Sequence, residues 1–148
     1  MEKLNWDYIL RLSKNGNLKP PHQIIKSTDQ WKSELSLEVF RVTRLKGTES
    51  PFSSEMCQAI EAGKYNCVCC RTLLFDSTEK FDSGTGWPSF TQPVDNAVVG
   101  YHADNSYGSM RVEVVCNVCE SHLGHVFPDG PRPSGLRYCV NALSLQKV

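Results

Sequence analysis

Cys67-Val68-Cys69-Cys70 and Cys116-Asn117-Val118-Cys119 decide the fold of this 148-residue chain. Each contains a Cys-x-x-Cys, a spacing that lets one tight turn aim two thiolates at a single ion, and two such turns complete a tetrahedral set. By spacing the ligands are Cys67, Cys70, Cys116 and Cys119, with Cys69 left over inside the first motif. Residues 71–115 lie between the motifs. That is more than the ~15–20 residues of a compact zinc finger, so the metal would tie together strands distant in sequence. A redox Cys-x-x-Cys usually occurs once, at a helix N-terminus beside a βαβ pattern, and neither motif has that setting. Structural zinc is therefore expected ahead of a redox pair or plain buried thiols. Four thiolates would also suit an iron–sulfur cluster, but nothing in the sequence points to electron transfer. With all four positions filled by protein, a zinc ion holds the fold and has no place for a reacting water.

The chain carries seven cysteines, an odd number, and its N-terminus MEKLNWDYILRLSKNG sets charges among apolar positions without the apolar core of a secretory signal. A reducing cytoplasm is expected, where clustered cysteines indicate metal or catalysis more often than disulfides. Hydrophobic residues make up 40% and charged residues 22%, the balance of one globular domain. Sixteen Lys and Arg against sixteen Asp and Glu give no bulk attraction to nucleic acid or anionic membrane. No apolar run approaches the ~18–20 residues of a membrane helix.

Outward from the motifs, the first third reads as helical. Leu4, Tyr8, Ile9 and Leu12 share one helical face that Gly16 ends, and Pro20-Pro21 forces an extended break. Ser27-Thr28-Asp29-Gln30 is a capping box opening a helix through Trp31 to Leu35. A third helix is expected from about Ser54 to Ala62, ending at Gly63. Strands are expected at Val39–Val42, Leu73–Phe75, Val94–Val99, Met110–Val115 and Arg137–Leu145. Met110-Arg111-Val112-Glu113-Val114 alternates apolar and charged residues, the pattern of a half-buried antiparallel strand. The result is a mainly β domain with short N-terminal helices.

Cys139 stands apart from the motifs, in Arg137-Tyr138-Cys139-Val140-Asn141. On a strand, Arg137, Cys139 and Asn141 share a face, and a cation or hydrogen-bond donor there would favour the thiolate. Upstream, the loop-rich His122-Leu123-Gly124-His125-Val126-Phe127-Pro128-Asp129 supplies two imidazoles and a carboxylate. A nucleophilic cysteine with acid–base histidines fits these residues, as it would in a papain-like hydrolase. A small buried Cys139, or histidines serving as zinc ligands, are the bland alternatives.

The ordered motifs Gly47-Thr48-Glu49, Pro51-Phe52, Leu74-Phe75, Lys80-Phe81-Asp82-Ser83-Gly84, Gly86-Trp87-Pro88-Ser89-Phe90, His122-Leu123-Gly124-His125-Val126-Phe127 and Arg137-Tyr138-Cys139-Val140-Asn141, with both knuckles, resemble the peptide-methionine (R)-S-oxide reductase (MsrB) family from Val42 to Leu145. The resemblance implies two antiparallel sheets of the Mss4-like or β-tent type, with one structural zinc per chain at the end away from the active site. From the helical pattern of the first third, a segment 1–36 packed on a catalytic domain 37–148 is expected. The resemblance implies reduction of methionine-R-sulfoxide in oxidised proteins or peptides, a protein-repair activity against oxidative stress. Cys139 would be the nucleophile and pass through a sulfenic acid that a thioredoxin-type reductant recycles. Its active-site positions match His122, His125, Asn141, Arg137 and Asp129, and Trp87 matches the aromatic that receives the substrate methyl. No nucleic acid or membrane partner is implied, and a monomer is expected. Many members carry a second, resolving cysteine where this chain has Thr85. Cys57 and Cys69 are the remaining cysteines, and direct attack of the reductant on Cys139 is expected ahead of a disulfide through either. A non-catalytic, zinc-stapled binding module of the same fold is the competing reading, since fold does not fix function.

Overall fold

A computed structural model describes residues 4–57, 62–105, 108 and 110–148. Helix α1 (Trp6–Asn15) begins where the Asn5 side chain accepts from Tyr8 N–H and ends at Gly16, whose φ of 109° only glycine adopts readily. Helix α2 (Thr28–Glu34) opens with the expected capping box: Ser27 Oγ accepts from Gln30 N–H at 3.2 Å, and Ser27 N–H donates to Gln30 Oε1 at 2.9 Å.

Residues expected to form a strand at Val39–Val42 instead lie in helix α3 (Leu37–Thr43). Ser36 caps it by accepting from Val39 N–H, and Phe40, Val42 and Thr43 are buried. A cap and the burial of these side chains override the strand propensity of the two valines and the phenylalanine. The helix expected from Ser54 to Ala62 shows a single 3₁₀ turn at Glu55–Cys57; residues 58–61 lie outside the described residues, and Ala62 stands in a bend before the first strand.

The described strands form two antiparallel sheets. The smaller has the order β2 (Leu73–Asp76), β1 (Lys64–Cys67), β9 (Leu145–Lys147). The larger has the order β3 (Lys80–Phe81), β4 (Ser89–Phe90), β8 (Arg137–Val140), β7 (His122–Phe127), β6 (Arg111–Cys116), β5 (Val99–Asp104). The strand expected at Val94–Val99 begins only at Val99, because Asp95 closes a turn by accepting from Ala97 N–H at 2.7 Å. The long strand expected at Arg137–Leu145 breaks after Val140 into a 3₁₀ turn and re-enters the other sheet as β9. The His122–Phe127 segment, expected to be loop-rich, is a central strand.

Aromatic rings fill the space between the sheets. Phe75 of β2 stacks on Phe90 of β4 at 4.3 Å, Tyr65 of β1 meets Phe90 edge-on at 5.3 Å, and Tyr138 of β8 meets Phe75 at 5.9 Å. The Tyr138 and Tyr101 hydroxyls pair at 2.7 Å, which satisfies two buried polar groups at once. Helix α1 lies against β5 through the fully buried Ile9. Asn17 holds the outer edge of β5 as another strand would: its Oδ1 accepts from Tyr101 N–H at 2.7 Å and its Nδ2 donates to Tyr101 C=O at 3.2 Å. No helix among the described residues is long and apolar enough to cross a membrane.

Candidate active site

Cys67 ends β1 in the smaller sheet and Cys116 ends β6 in the larger, so the two knuckles meet where the sheets join. The sulfurs of Cys67, Cys70, Cys116 and Cys119 all lie within 4.8 Å of one another. Cys67–Cys119 is 3.7 Å and Cys70–Cys116 is 3.6 Å. Zinc with ~2.3 Å bonds to four tetrahedral sulfurs places them about 3.8 Å apart, so the set fits that ion. The knuckles turn alike: Arg71 N–H donates to Cys67 C=O and Glu120 N–H to Cys116 C=O, both at 2.8 Å. The residue after each second cysteine, Arg71 or Glu120, has φ of 68° or 65°. Arg44 brings a positive charge to this anionic cluster, donating to Cys119 C=O at 2.8 Å and reaching its Sγ at 3.7 Å. The same guanidinium stacks 4.5 Å over the Trp31 ring. Cys69 lies against Cys67 and Cys119 but outside the four.

On the larger sheet, a cavity of about 400 Å³ is lined by Cys139, His122, His125, Arg137, Asn141 and Trp87, together with Thr48, Thr85, Arg111, Gly124 and Phe127. Strand alternation sends Arg137, Cys139 and Asn141 to this one face, as their spacing predicts. The histidines need more. Residues three apart on a regular strand point to opposite faces, yet His122 and His125 line one cavity. The β6–β7 register supplies the cause: Val114 faces Gly124 and Val115 faces His122, which leaves Leu123 as an extra bulged residue. A bulge re-aims side chains next to it. Gly124 then permits the close approach of β7 to β8, because a Cβ there would stand 1.9 Å from Cys139 C=O.

Each histidine is backed by a carboxylate that sequence reading missed. His122 Nδ1 lies 2.7 Å from Glu113 Oε2, and His125 Nε2 lies 2.8 Å from Asp104 Oδ2. Glu113 and Arg111 were the charged positions of the alternating strand, which suggests a solvent face. Arg111 instead lines the cavity, and Glu113 is 4% exposed, buried against His122. Burial opposes ionisation of Glu113, but the hydrogen bond from His122 and the Lys46 ammonium at 3.3 Å hold its carboxyl below the ordinary value. For His125, burial pulls the imidazole below its usual value, and Asp104 partly offsets this.

Cys139 pairs across the strands with His125 on β7 and with Ser89 on β4. Burial pushes its thiol above the ordinary value, opposed by the Arg137 charge and a hydrogen bond with Thr85. Arg137 is held in place: Asp129 grips it at 2.9 and 3.2 Å, and it stacks 4.4 Å over Phe127. Asp129 itself is exposed and does not line the cavity, so its contact with the site runs through Arg137. Asn141 lines the cavity with both amide ends engaged, accepting from Glu49 N–H and donating to Leu123 C=O, each at 3.2 Å. Trp87 Nε1 donates to Glu49 C=O at 3.2 Å. The buried Glu49 carboxylate accepts from Leu143 N–H at 2.8 Å and from the Cys57 thiol at 3.7 Å. Cys57 therefore sits behind Glu49, and neither it nor Cys69 lines the cavity.

Residues 35–148 match the SelR domain family. Over 121 residues, 82% of this chain and 90% of the relative, the chain is 54% identical to a protein of Saccharophagus degradans named peptide methionine sulfoxide reductase MsrB. It is 54% identical over 126 residues to the Pseudomonas aeruginosa protein of that name, covering 85% and 96% of the two chains. With the one from Acinetobacter baylyi, identity is 51% over 121 residues, covering 82% and 87%. The matched family region takes in both knuckles and every residue of the cavity wall, and the chain belongs to the SelR-domain family, that of the peptide methionine sulfoxide reductases MsrB.

Proposed function

We propose that this cavity reduces methionine-R-sulfoxide in oxidised proteins or peptides to methionine, with Cys139 as nucleophile. The observation that carries the reading is a half-buried thiol on β8 that shares one cavity with two histidines of β7, each tied to a carboxylate, with His125 its cross-strand partner. The Trp87 ring and Phe127 form an apolar wall for the substrate's methyl and methylene groups. A sulfoxide oxygen leaves only when protonated, so the step needs an acid within reach. His122 and His125 line the cavity and supply it, each ring held in place by a carboxylate. The Cys139 sulfur attacks the sulfoxide sulfur, the oxygen is transferred to Cys139, and methionine leaves. The thiol becomes a sulfenic acid, with no net gain or loss of protons. Arg137, fixed by Asp129, favours the attacking thiolate, and Asn141 orients the turn that follows Cys139.

Regeneration consumes two reducing equivalents and releases water, as expected of a thioredoxin-type dithiol. Thr85 stands in the cavity beside Cys139, and a hydroxyl forms no disulfide. Cys57 is engaged by Glu49 and Cys69 by the knuckle, which supports direct attack of the external thiol on the sulfenic acid. Zinc bound by Cys67, Cys70, Cys116 and Cys119 would fasten the sheets and take no part in this chemistry. A binding module of this fold would not require the paired His–carboxylate contacts.

The test is single-turnover reduction of separated sulfoxide epimers. The R epimer should be consumed and the S epimer spared, and Cys139→Ser should abolish turnover because a hydroxyl is a far poorer nucleophile. Equal rates on both epimers, or an active Cys139→Ser variant, would overturn the reading.

A further inference from the structure

We propose that Thr85, Ser83 and Ser89 form a hydroxyl relay that reverses its hydrogen-bond direction with the state of Cys139, so that Thr85 accepts from the thiol and donates to the thiolate. The proposal rests on Cys139 being the reacting group. Thr85 and Cys139 line the same cavity, and the Thr85 hydroxyl is among the groups that hold the Cys139 thiol down against burial. Behind Thr85 the chain continues in short steps. Ser83 Oγ lies 2.8 Å from Thr85 Oγ1 and 2.7 Å from Ser89 Oγ, and Ser89 Oγ lies 3.1 Å from Trp87 C=O. Ser89 is 1% exposed and is the cross-strand partner of Cys139, so the far end of the relay is anchored on the same sheet.

Each hydroxyl has one hydrogen to give and two lone pairs to accept with, which leaves two complete arrangements. In the first, the Cys139 thiol donates to Thr85, Thr85 to Ser83, Ser83 to Ser89, and Ser89 to Trp87 C=O. Once sulfur has lost its proton that arrangement leaves a buried anion with no donor from this side. In the second, Ser89 donates to Ser83, Ser83 to Thr85, and Thr85 to the sulfur. Only the Ser89 contact with Trp87 C=O, the longest of these three Oγ–oxygen distances, is given up. The backbone N–H groups of Thr85 and Trp87 contact Ser83 Oγ at 3.4 Å and Thr85 Oγ1 at 3.5 Å, and both arrangements leave lone pairs for them. No proton travels along the chain. Three rotors turn, and each bond polarises the next. Thr85 thus touches the reacting sulfur, while Ser83 and Ser89 are positioning residues that act through it.

The ionisation of Cys139 reads the relay directly. The charged groups facing it are Arg137 on its own strand, Arg111 on β6, and His122 and His125 on β7, and all are left unchanged in the experiment. The rate of iodoacetamide alkylation of Cys139 is followed against pH in the zinc-loaded protein, with the modified peptide quantified by mass spectrometry. Thr85→Val removes the donor and should lower the thiolate fraction at pH 7 about tenfold, and Thr85→Ser should restore it. Ser83→Ala removes the acceptor that holds the Thr85 hydrogen away from sulfur. It should raise the thiolate fraction about two- to fivefold, opposite in sign to Thr85→Val. Ser89→Ala should move it in the same direction as Ser83→Ala and serves if that variant does not fold. A Thr85→Val profile that overlays the parent overturns the proposal. So does a Thr85→Val effect with Ser83→Ala and Ser89→Ala both neutral, which would leave a fixed Thr85 bond and no relay. Alkylation needs no sulfoxide, so a failure of the proposed reduction shows in the epimer assay and leaves this result standing.

Discussion

Gly124→Ala tests how closely the site geometry depends on one missing methyl group. The added Cβ would lie 1.9 Å from Cys139 C=O and 3.1 Å from Val140 Cα, both backbone atoms. Ordinary contact begins near 3.4 Å, so β7 and β8 must separate by about 1.5 Å at this point. No side-chain rotation can relieve the clash, because the obstacle is the neighbouring strand itself. Overpacking of this kind costs ~1–3 kcal/mol, and a backbone clash belongs at the upper end. For a chain of this size that is a fall in Tm of roughly 6–12 °C. His125 is the cross-strand partner of Cys139 in the adjacent register pair, so the displacement also opens the distance between the imidazole and the thiol to which the proposed reaction assigns acid and nucleophile. A misplacement of ~1 Å can cost about 10²-fold in rate, and kcat on the R epimer should fall by that order in protein that is folded and zinc-loaded at the assay temperature. Thermal melting and single-turnover kinetics on the same preparation provide the check. A variant with parental Tm and parental kcat would refute the argument that strand proximity sets the geometry.

Further outcomes follow from other contacts. Cys116→Ser should lose the metal by elemental analysis and unfold at lower temperature, whereas Cys139→Ser should keep both; freshly folded parent without zinc would contradict this. One equivalent of R-sulfoxide without reductant should remove one thiol and leave a trappable sulfenic acid; loss of two thiols with a mapped Cys57–Cys139 or Cys69–Cys139 disulfide would replace direct reduction. Glu113 has a depressed carboxyl value, so its stabilisation is complete above the unfolded value of ~4.3 and is lost as pH falls through the folded value. Glu113→Gln should therefore cost about 1–3 kcal/mol at pH 7 in denaturant titrations, with the gap closing at acid pH. Asp104 raises the His125 value, so Asp104→Asn should move the limb of the rate profile that reports imidazolium to lower pH.

Much of this was legible from side-chain spacing alone. The knuckles, the capping box at Ser27 and the Arg137–Cys139–Asn141 face are local patterns, and each stands where its period or spacing places it. What escaped reading depends on partners distant in the chain. Val39-Phe40-Arg41-Val42 is rich in residues that favour strands, and the Ser36 cap with burial of Phe40 and Val42 makes it a helix. His122-Leu123-Gly124-His125 has weak strand propensity, but its neighbours β6 and β8 and the bulge at Leu123 fix it. Glu113 and Asp104 became recognisable only when the sheet set them beside histidines nine and twenty-one residues away.

Arg44 carries a consequence for observation. Its guanidinium lies between the ring of the buried Trp31 and the sulfur of Cys119, so the electronic surroundings of that indole depend on the charge of the thiolate cluster. When a chelator withdraws the metal and the thiolates take up protons, Arg44 loses the anion it faces and its stacking on Trp31 slackens. Intrinsic fluorescence excited at the indole band would then act as a built-in gauge of metal held by the four cysteines. Trp87, in the cavity wall, is a second emitter whose signal answers to occupancy of the cavity. Trp6 is the third tryptophan, so replacing it together with either of the other two by phenylalanine leaves one emitter, and the paired variants follow metal loss and ligand binding separately without a label.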